Sequence, residues 1–147
     1  MVSILSELDD CFNKGLIRKI PPSKEKALRS LNKADRWLEE ARRSLSFNLF
    51  NSCLVASYSA MFHASRALLF KDGFREKSHY CLARYLEEMY VNTGRLNRVV
   101  VDLLDRFRTL RHEDLYELDF SATREDAEEA VRNAEMIVKE MKSLVLG

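Results

Sequence analysis

The run Arg106-Phe-Arg-Thr-Leu-Arg-His-Glu-Asp-Leu-Tyr116 holds the densest chemistry in the chain. A cation, an imidazole, two carboxylates and a phenol fall within the six residues that begin at Arg111. Apolar residues at Leu96, Val99, Val100, Leu103, Leu104, Phe107 and Leu110 draw a helical stripe. Continuing it from Val100, Leu104 and Phe107 makes Arg111 the next inward position. A guanidinium on an apolar stripe needs partners that hydrogen-bond it. Two arrangements supply them: a carboxylate on a neighbouring helix, with His112 in water, or a bound anion or phosphate. His112 is the residue type here that exchanges protons near neutral pH. A second constellation is Tyr58-Ser-Ala-Met-Phe-His-Ala-Ser-Arg66. Helical spacing puts Tyr58 with Phe62 and Phe62 with Arg66, and sets His63 beside Ala60, Ala67 and Phe70. His63 is then either a satisfied core imidazole or a functional one. A third is Lys77-Ser-His79, where Ser78 reads as an N-cap and His79 follows it. Arg75 and Lys77 stand close enough in sequence to help hold an anion at that helix start.

The elements that must position these groups are helices. With 147 residues, 46% of them hydrophobic and 32% charged, and only four Gly and two Pro, the chain reads as one helical domain. Residues 1–22 read as an N-terminal extension and linker: a short amphipathic helical piece over 3–17, then Pro21-Pro22. Residues 23–147 read as the main body. Ser23 caps a helix over 24–46, whose apolar residues Ala27, Leu31, Ala34, Leu38, Ala41 and Leu45 form an antiparallel-bundle seam. The least polar helix, 52–71, is the central one; it carries an alanine row (Ala56, Ala60, Ala64, Ala67) beside large apolar residues and ends at Asp72-Gly73. Helices over 79–92 and 95–112 follow, then a connection over 113–122. A last helix runs to about 145, with Thr123 and Asp126 in a capping-box arrangement. The alanine row, and more apolar face than one short bundle covers, predict a homodimer.

Composition excludes several classes. A formal net charge of +1 argues against a strongly basic nucleic-acid binder. That balance hides an asymmetry: ten Lys/Arg against four Asp/Glu over 14–43, and three against ten over 113–140. The two segments either neighbour and neutralise each other or leave a basic surface for an acidic partner. Cys11, Cys53 and Cys81 show no CxxC and no ligand spacing, which predicts free thiols in a reducing cytosol and no metal site. No apolar run approaches a membrane span, and acids stand where a signal peptide carries bases, so a cytoplasmic, non-membrane protein is expected. No P-loop, GxGxxG, HExxH, GxSxG or EF-hand pattern is present, and no cofactor is expected. The absence of Gln hints at a thermophile.

Taken together, the helix 58–70, Gly73, Lys77-Ser-His-Tyr, Leu110-Arg-His-Glu-Asp-Leu-Tyr and the closing Glu125-Asp-Ala-Glu-Glu-Ala-Val resemble the HEPN domain, most closely the small stand-alone prokaryotic HEPN proteins. The resemblance covers roughly 24–146. It implies an all-α antiparallel bundle of four to five helices that dimerises, behind a short N-terminal helical extension. It also implies binding of a nucleotide or RNA phosphate, with Arg66, His63, His79 and Tyr58 as the binding residues. Many members are metal-independent endoribonucleases, often the toxin beside a nucleotidyltransferase antitoxin. Their motif is an Arg, a polar residue, then a His four to six positions on. The His moves a proton and the Arg meets the phosphate charge. Arg111, His112, Tyr116 and Arg106 are the residues this implies here. Counted from Arg111, the family's His position falls on Tyr116 or Glu117. Arg106 and His112 keep the spacing, but Phe107 replaces the polar residue. A nucleotide- or RNA-binding module, a ribonuclease and a dimeric interaction protein without activity are the three functions this leaves.

Overall fold

The computed structural model describes residues 6–113, Glu117 and 120–147. Among the described residues there are six helices: α1 (Glu7–Asn13), α2 (Lys24–Ser46), α3 (Phe50–Asp72), α4 (His79–Leu86), α5 (Arg98–His112) and α6 (Arg124–Leu146). One π-helical turn, Glu87–Val91, prolongs α4. The caps expected from sequence are present. Ser23 accepts from Lys26 N, Ser78 accepts from Cys81 N, and Thr123 and Asp126 form a reciprocal capping box.

The three long helices α2, α3 and α6 form the body. A three-residue turn between Ser46 and Phe50 leaves α2 and α3 antiparallel, and Ser30 Oγ donates to the His63 carbonyl at 2.6 Å where they cross. α6 runs parallel to α3: the Cys53 thiol donates to the Ala127 carbonyl near their starts, and Lys71 Nζ reaches the Leu144 carbonyl near their ends. Ala60, Ala64 and Ala67 of α3, with Ala27, Ala34, Ala130 and Ala134 opposite, are fully buried. Small residues there let three backbones approach while Met61, Leu68, Leu69, Ile137 and Met141 fill the core between them. Asp72, at the end of α3, accepts hydrogen bonds from the Tyr85 and Tyr90 hydroxyls at 2.8 and 2.6 Å. That carboxylate ties α4 and its π turn to the body.

Two features of the N-terminal region were not visible in the sequence. The first is a two-stranded antiparallel sheet. β1 (Ile17–Lys19) pairs with β2 (Phe74–Glu76), with Ile17 opposite Glu76 and Lys19 opposite Phe74. Gly73 makes it feasible: its φ is +93°, and a Cβ there would stand 2.9 Å from Pro22 and 3.0 Å from the Ile20 carbonyl. The second corrects the expectation of three free thiols. Cys11 and Cys81 form a disulfide, S–S 2.12 Å, that fastens α1 to α4 across 70 residues of chain. So long a loop gives no spacing signal, which is why the pair was hidden. Cys53 alone is free; it is buried, and burial pushes its thiol up.

No helix among the described residues is long and apolar enough to cross a membrane. No cluster of three or more His, Cys, Asp or Glu among them could hold a metal ion.

Candidate functional site

α4 starts beside the end of α5, and the two helix ends enclose a groove of about 400 Å³ lined by Lys77, Ser78, His79, Tyr80, Arg108, Arg111 and His112. Three Lys/Arg and two His face it, and among the described residues no carboxylate does. The first-turn N–H groups of α4 add partial positive charge, since a helix start leaves them without intrahelical partners and Ser78 Oγ takes only that of Cys81. Arg108, Arg111 and His112 converge because they stand three and four residues apart on one face of α5. Arg108 is steered by Asp105, which accepts from its Nη2 at 3.3 Å, and its guanidinium lies 5.4 Å from the Tyr80 ring centroid. Its buried Nε has no partner among the described residues.

Arg111 is half-buried and pairs with no carboxylate among the described residues. It also lines a second groove with Trp37, Asn51, Val55 and Ala56. Among the described residues, Arg111 thus lines two grooves and pairs with no carboxylate. His112, on the same helix end, is exposed.

Beneath the groove lies an aromatic stack. His79 lies 3.8 Å centroid to centroid on Phe62, and its Nδ1 is 2.8 Å from the hydroxyl of buried Tyr58. Burial pushes Tyr58 up to about 12, against the pull of Arg108 and Arg111. It pushes His79 down to about 4, reinforced by Arg111, Arg66, His112 and Arg108. Both are therefore neutral at pH 7. The Tyr58 proton has no other acceptor among the described residues, so it goes to Nδ1 and fixes His79 as the Nε2–H tautomer, a donor. His63, edge-on to Phe62 at 5.5 Å, is likewise held down to about 4 by burial, then by Arg66, Lys33 and His79.

Arg66 lies 4.7 Å above Phe62, and its Nε donates to buried Glu76 at 2.5 Å. No hydrogen bond among the described residues occupies its terminal amino groups. Glu76 thus aims a guanidinium whose outer fork is open to an acceptor.

The structure brings Arg111, His112 and His79 together, with Tyr58 directly behind His79, and sets His63 and Arg66 on the far side of Phe62. Arg106 stands apart. It pairs with Glu129 of α6 at 3.4 Å and lines a different hollow with Leu54, Phe107, Leu110 and Phe120. Tyr116 lies outside the described residues. Sequence reasoning missed Arg108 and Tyr80. The signal for Arg108 was its three-residue spacing from Arg111; Tyr80, read only as apolar, gave none.

Two archaeal proteins are similar over most of this chain. A UPF0332 protein of Archaeoglobus fulgidus is 26% identical over 119 residues, 78% of this chain and 91% of its own. A toxin candidate of Methanocaldococcus jannaschii is 27% identical over 109 residues, 74% of this chain and 81% of its own. The HEPN domain model matches residues 27–144, the span that carries the helical body and the groove, and the chain belongs to the HEPN domain family.

Proposed function

We propose that this protein binds RNA through phosphate held in the α4–α5 groove and that it is the toxin-like half of a toxin–antitoxin pair. The observation that carries the binding is the groove itself: three Lys/Arg, the His79 ring and a helix start around one hollow, with no lining carboxylate among the described residues. Phosphate oxygens accept from all of these groups at once. The toxin-like role draws on family membership and on the name of the Methanocaldococcus relative. The partner this implies is a nucleotidyltransferase antitoxin, and the setting a cytoplasm that tolerates disulfides, as those of hyperthermophiles do. A free nucleotide offers the same phosphate chemistry, so mononucleotide competition belongs in the test. In fluorescence anisotropy with a labelled oligouridylate, Arg111→Ala should weaken binding tenfold or more. Unaltered affinity in Arg111→Ala and Arg108→Ala would remove the groove as the binding site.

A catalytic reading rests on one specific observation: exposed His112 lines the same groove as Arg111. In it, His112 takes the proton of a 2′-OH as the O2′–P bond forms, and returns it to O5′ as the P–O5′ bond breaks. The products are a 2′,3′-cyclic phosphate and a 5′-hydroxyl. Arg111 and Arg108 meet the charge gathering on the non-bridging oxygens, the part a metal ion takes elsewhere. Cleavage in EDTA that is lost in His112→Ala would support it.

The protein is also proposed to be a homodimer. Arg111 faces both the α4–α5 groove and the one beside Trp37 and Val55, so a second copy seated on the latter would border the phosphate site.

A further inference from the structure

A more basic concavity than the α4–α5 groove lies elsewhere. Between α2, α3 and β2 runs a groove of about 420 Å³ lined by Lys26, Arg29, Lys33, Arg36, Arg66 and Arg75, with Ser30, His63 and Phe70 at its floor. Among the described residues no carboxylate lines it. The charge excess of α2 is divided by face. On the side toward α6, Asp35 pairs with Lys142 at 2.8 Å and Arg42 with Glu135 at 3.3 Å, so that side is neutralised. On the groove side, among the described residues, Lys26, Lys33, Arg36 and Arg75 form no ion pair, and Arg29 meets Glu25 only at 4.0 Å with both side chains exposed.

We infer that this groove is a second phosphate-backbone site, which holds the RNA strand on one side of the nucleotide seated in the α4–α5 groove. The inference rests on the RNA-binding reading above and extends its footprint to several nucleotides. Buried Phe62 lies between the two grooves: His63 on its edge lines the α2–α3 groove, and His79 on its face lines the α4–α5 groove. Arg66, over the same ring and steered by Glu76, lines the α2–α3 groove. From Lys26 to Arg36 the α2 cations extend over about 15 Å at the helical rise. That length is more than one phosphate group covers, which fits a strand rather than a mononucleotide. Half-buried His63 beside the cations offers ring surface of the kind on which bases stack. An acidic helix of a second copy is the competing occupant. The strand is favoured because the cations continue past α2 onto α3 and β2, a path that a straight helix would not follow.

The test compares oligouridylates of three and twelve nucleotides on the full chain, wild type against Lys33→Glu/Arg36→Glu, with Arg29→Ala/Lys33→Ala as a milder pair. The Arg29 side chain is 76% exposed, so these changes spare the core. Wild type should prefer the 12-mer at least tenfold. The reversed pair should bring that preference below threefold and flatten the slope of log affinity against log salt by about 1.4, the value for two lost phosphate contacts. A 12-mer affinity and salt slope that match wild type in both pairs would overturn the inference, as would a change in oligomeric state without a change in RNA length preference. Arg111→Ala separates the two claims. Unchanged RNA affinity in that variant sinks the α4–α5 reading, while the length preference of the α2 pairs still decides this one.

Discussion

Acidification from pH 7 to 5 should destabilise the fold through His63 and His79. Both imidazoles are held at about 4 against an ordinary 6.5, first by burial and then by the cations around them. Between those values the unfolded chain binds a proton at each site that the folded chain refuses, so stability is full above about 6.5 and falls as the pH falls. For one such site the loss between pH 7 and 5 comes to about 2 kcal/mol. Two independent sites would give about 4 kcal/mol, but both rings are partly exposed, so about 2 kcal/mol for the pair is the working figure. Glu76 opposes this trend: burial raises its carboxyl despite Arg66, so the folded state gains from its protonation on acidification. The assay must therefore isolate the imidazoles. Urea unfolding at both pH values, in wild type and in His63→Asn/His79→Asn, does so, because Glu76 is common to the two. Asn at 79 keeps an acceptor within reach of the Tyr58 hydroxyl. Wild type should lose about 2 kcal/mol more than the double variant between pH 7 and 5. Equal losses would refute the claim that these rings are folded in neutral form, and with it the tautomer assigned to His79. RNA should reverse the linkage, since a phosphate anion beside His79 favours its protonated form.

Other outcomes follow from the same geometry. Arg111→Ala should weaken oligouridylate binding at least tenfold while shifting the urea midpoint little, because no described ion pair is broken; anisotropy and unfolding on one preparation check both halves. If the protein cleaves RNA, His112→Ala should slow cleavage in EDTA about 10²-fold or more, the usual cost of losing a general acid or base. Equal rates would exclude His112. Cys11→Ser should cost about 2 to 4 kcal/mol by releasing a long closed loop, read as a lower melting temperature than wild type under oxidising conditions and none under reducing ones. Light scattering at micromolar concentration should give twice the 17.1 kDa chain mass, and a clean monomer would defeat the dimer.

The helices were legible in the sequence because their signals are local. Ser23, Ser78 and Thr123 announce helix starts within three residues, Gly73 announces a stop, and the 4-3-4-3 spacing of α2 states which face is buried. The three-strand-residue sheet and the disulfide were not legible. β1 and β2 are too short to show alternation, and their partners lie more than fifty residues away. Cys11 and Cys81 look like unrelated thiols until α1 is laid on α4. The same limit governs the candidate site. Arg111 and His112 stood out because an inward-pointing cation on an apolar stripe conflicts with its surroundings within a single helix. Arg108 did not, since a cation at its position reads as solvated until Tyr80 is brought beneath it.

The α2 cations mark where sequence reasoning stops and packing must supply the answer. A charge count over 14–43 shows an excess but cannot divide it by face, and the structure pairs charges on one side of the helix and gathers cations on another. Toward α6 the excess is cancelled by Glu135 and reciprocated by Asp35 with Lys142. Toward β2 it is left uncancelled and joined by Arg66 and Arg75. The difference arises from rotation about the helix axis. Ala27, Leu31, Ala34 and Leu38 dock on the core and so turn Lys26, Arg29, Lys33 and Arg36 to one flank, beside α3. What looks like a neutral protein by net charge therefore carries a concentrated positive groove, and local field rather than net charge is what a phosphate backbone meets.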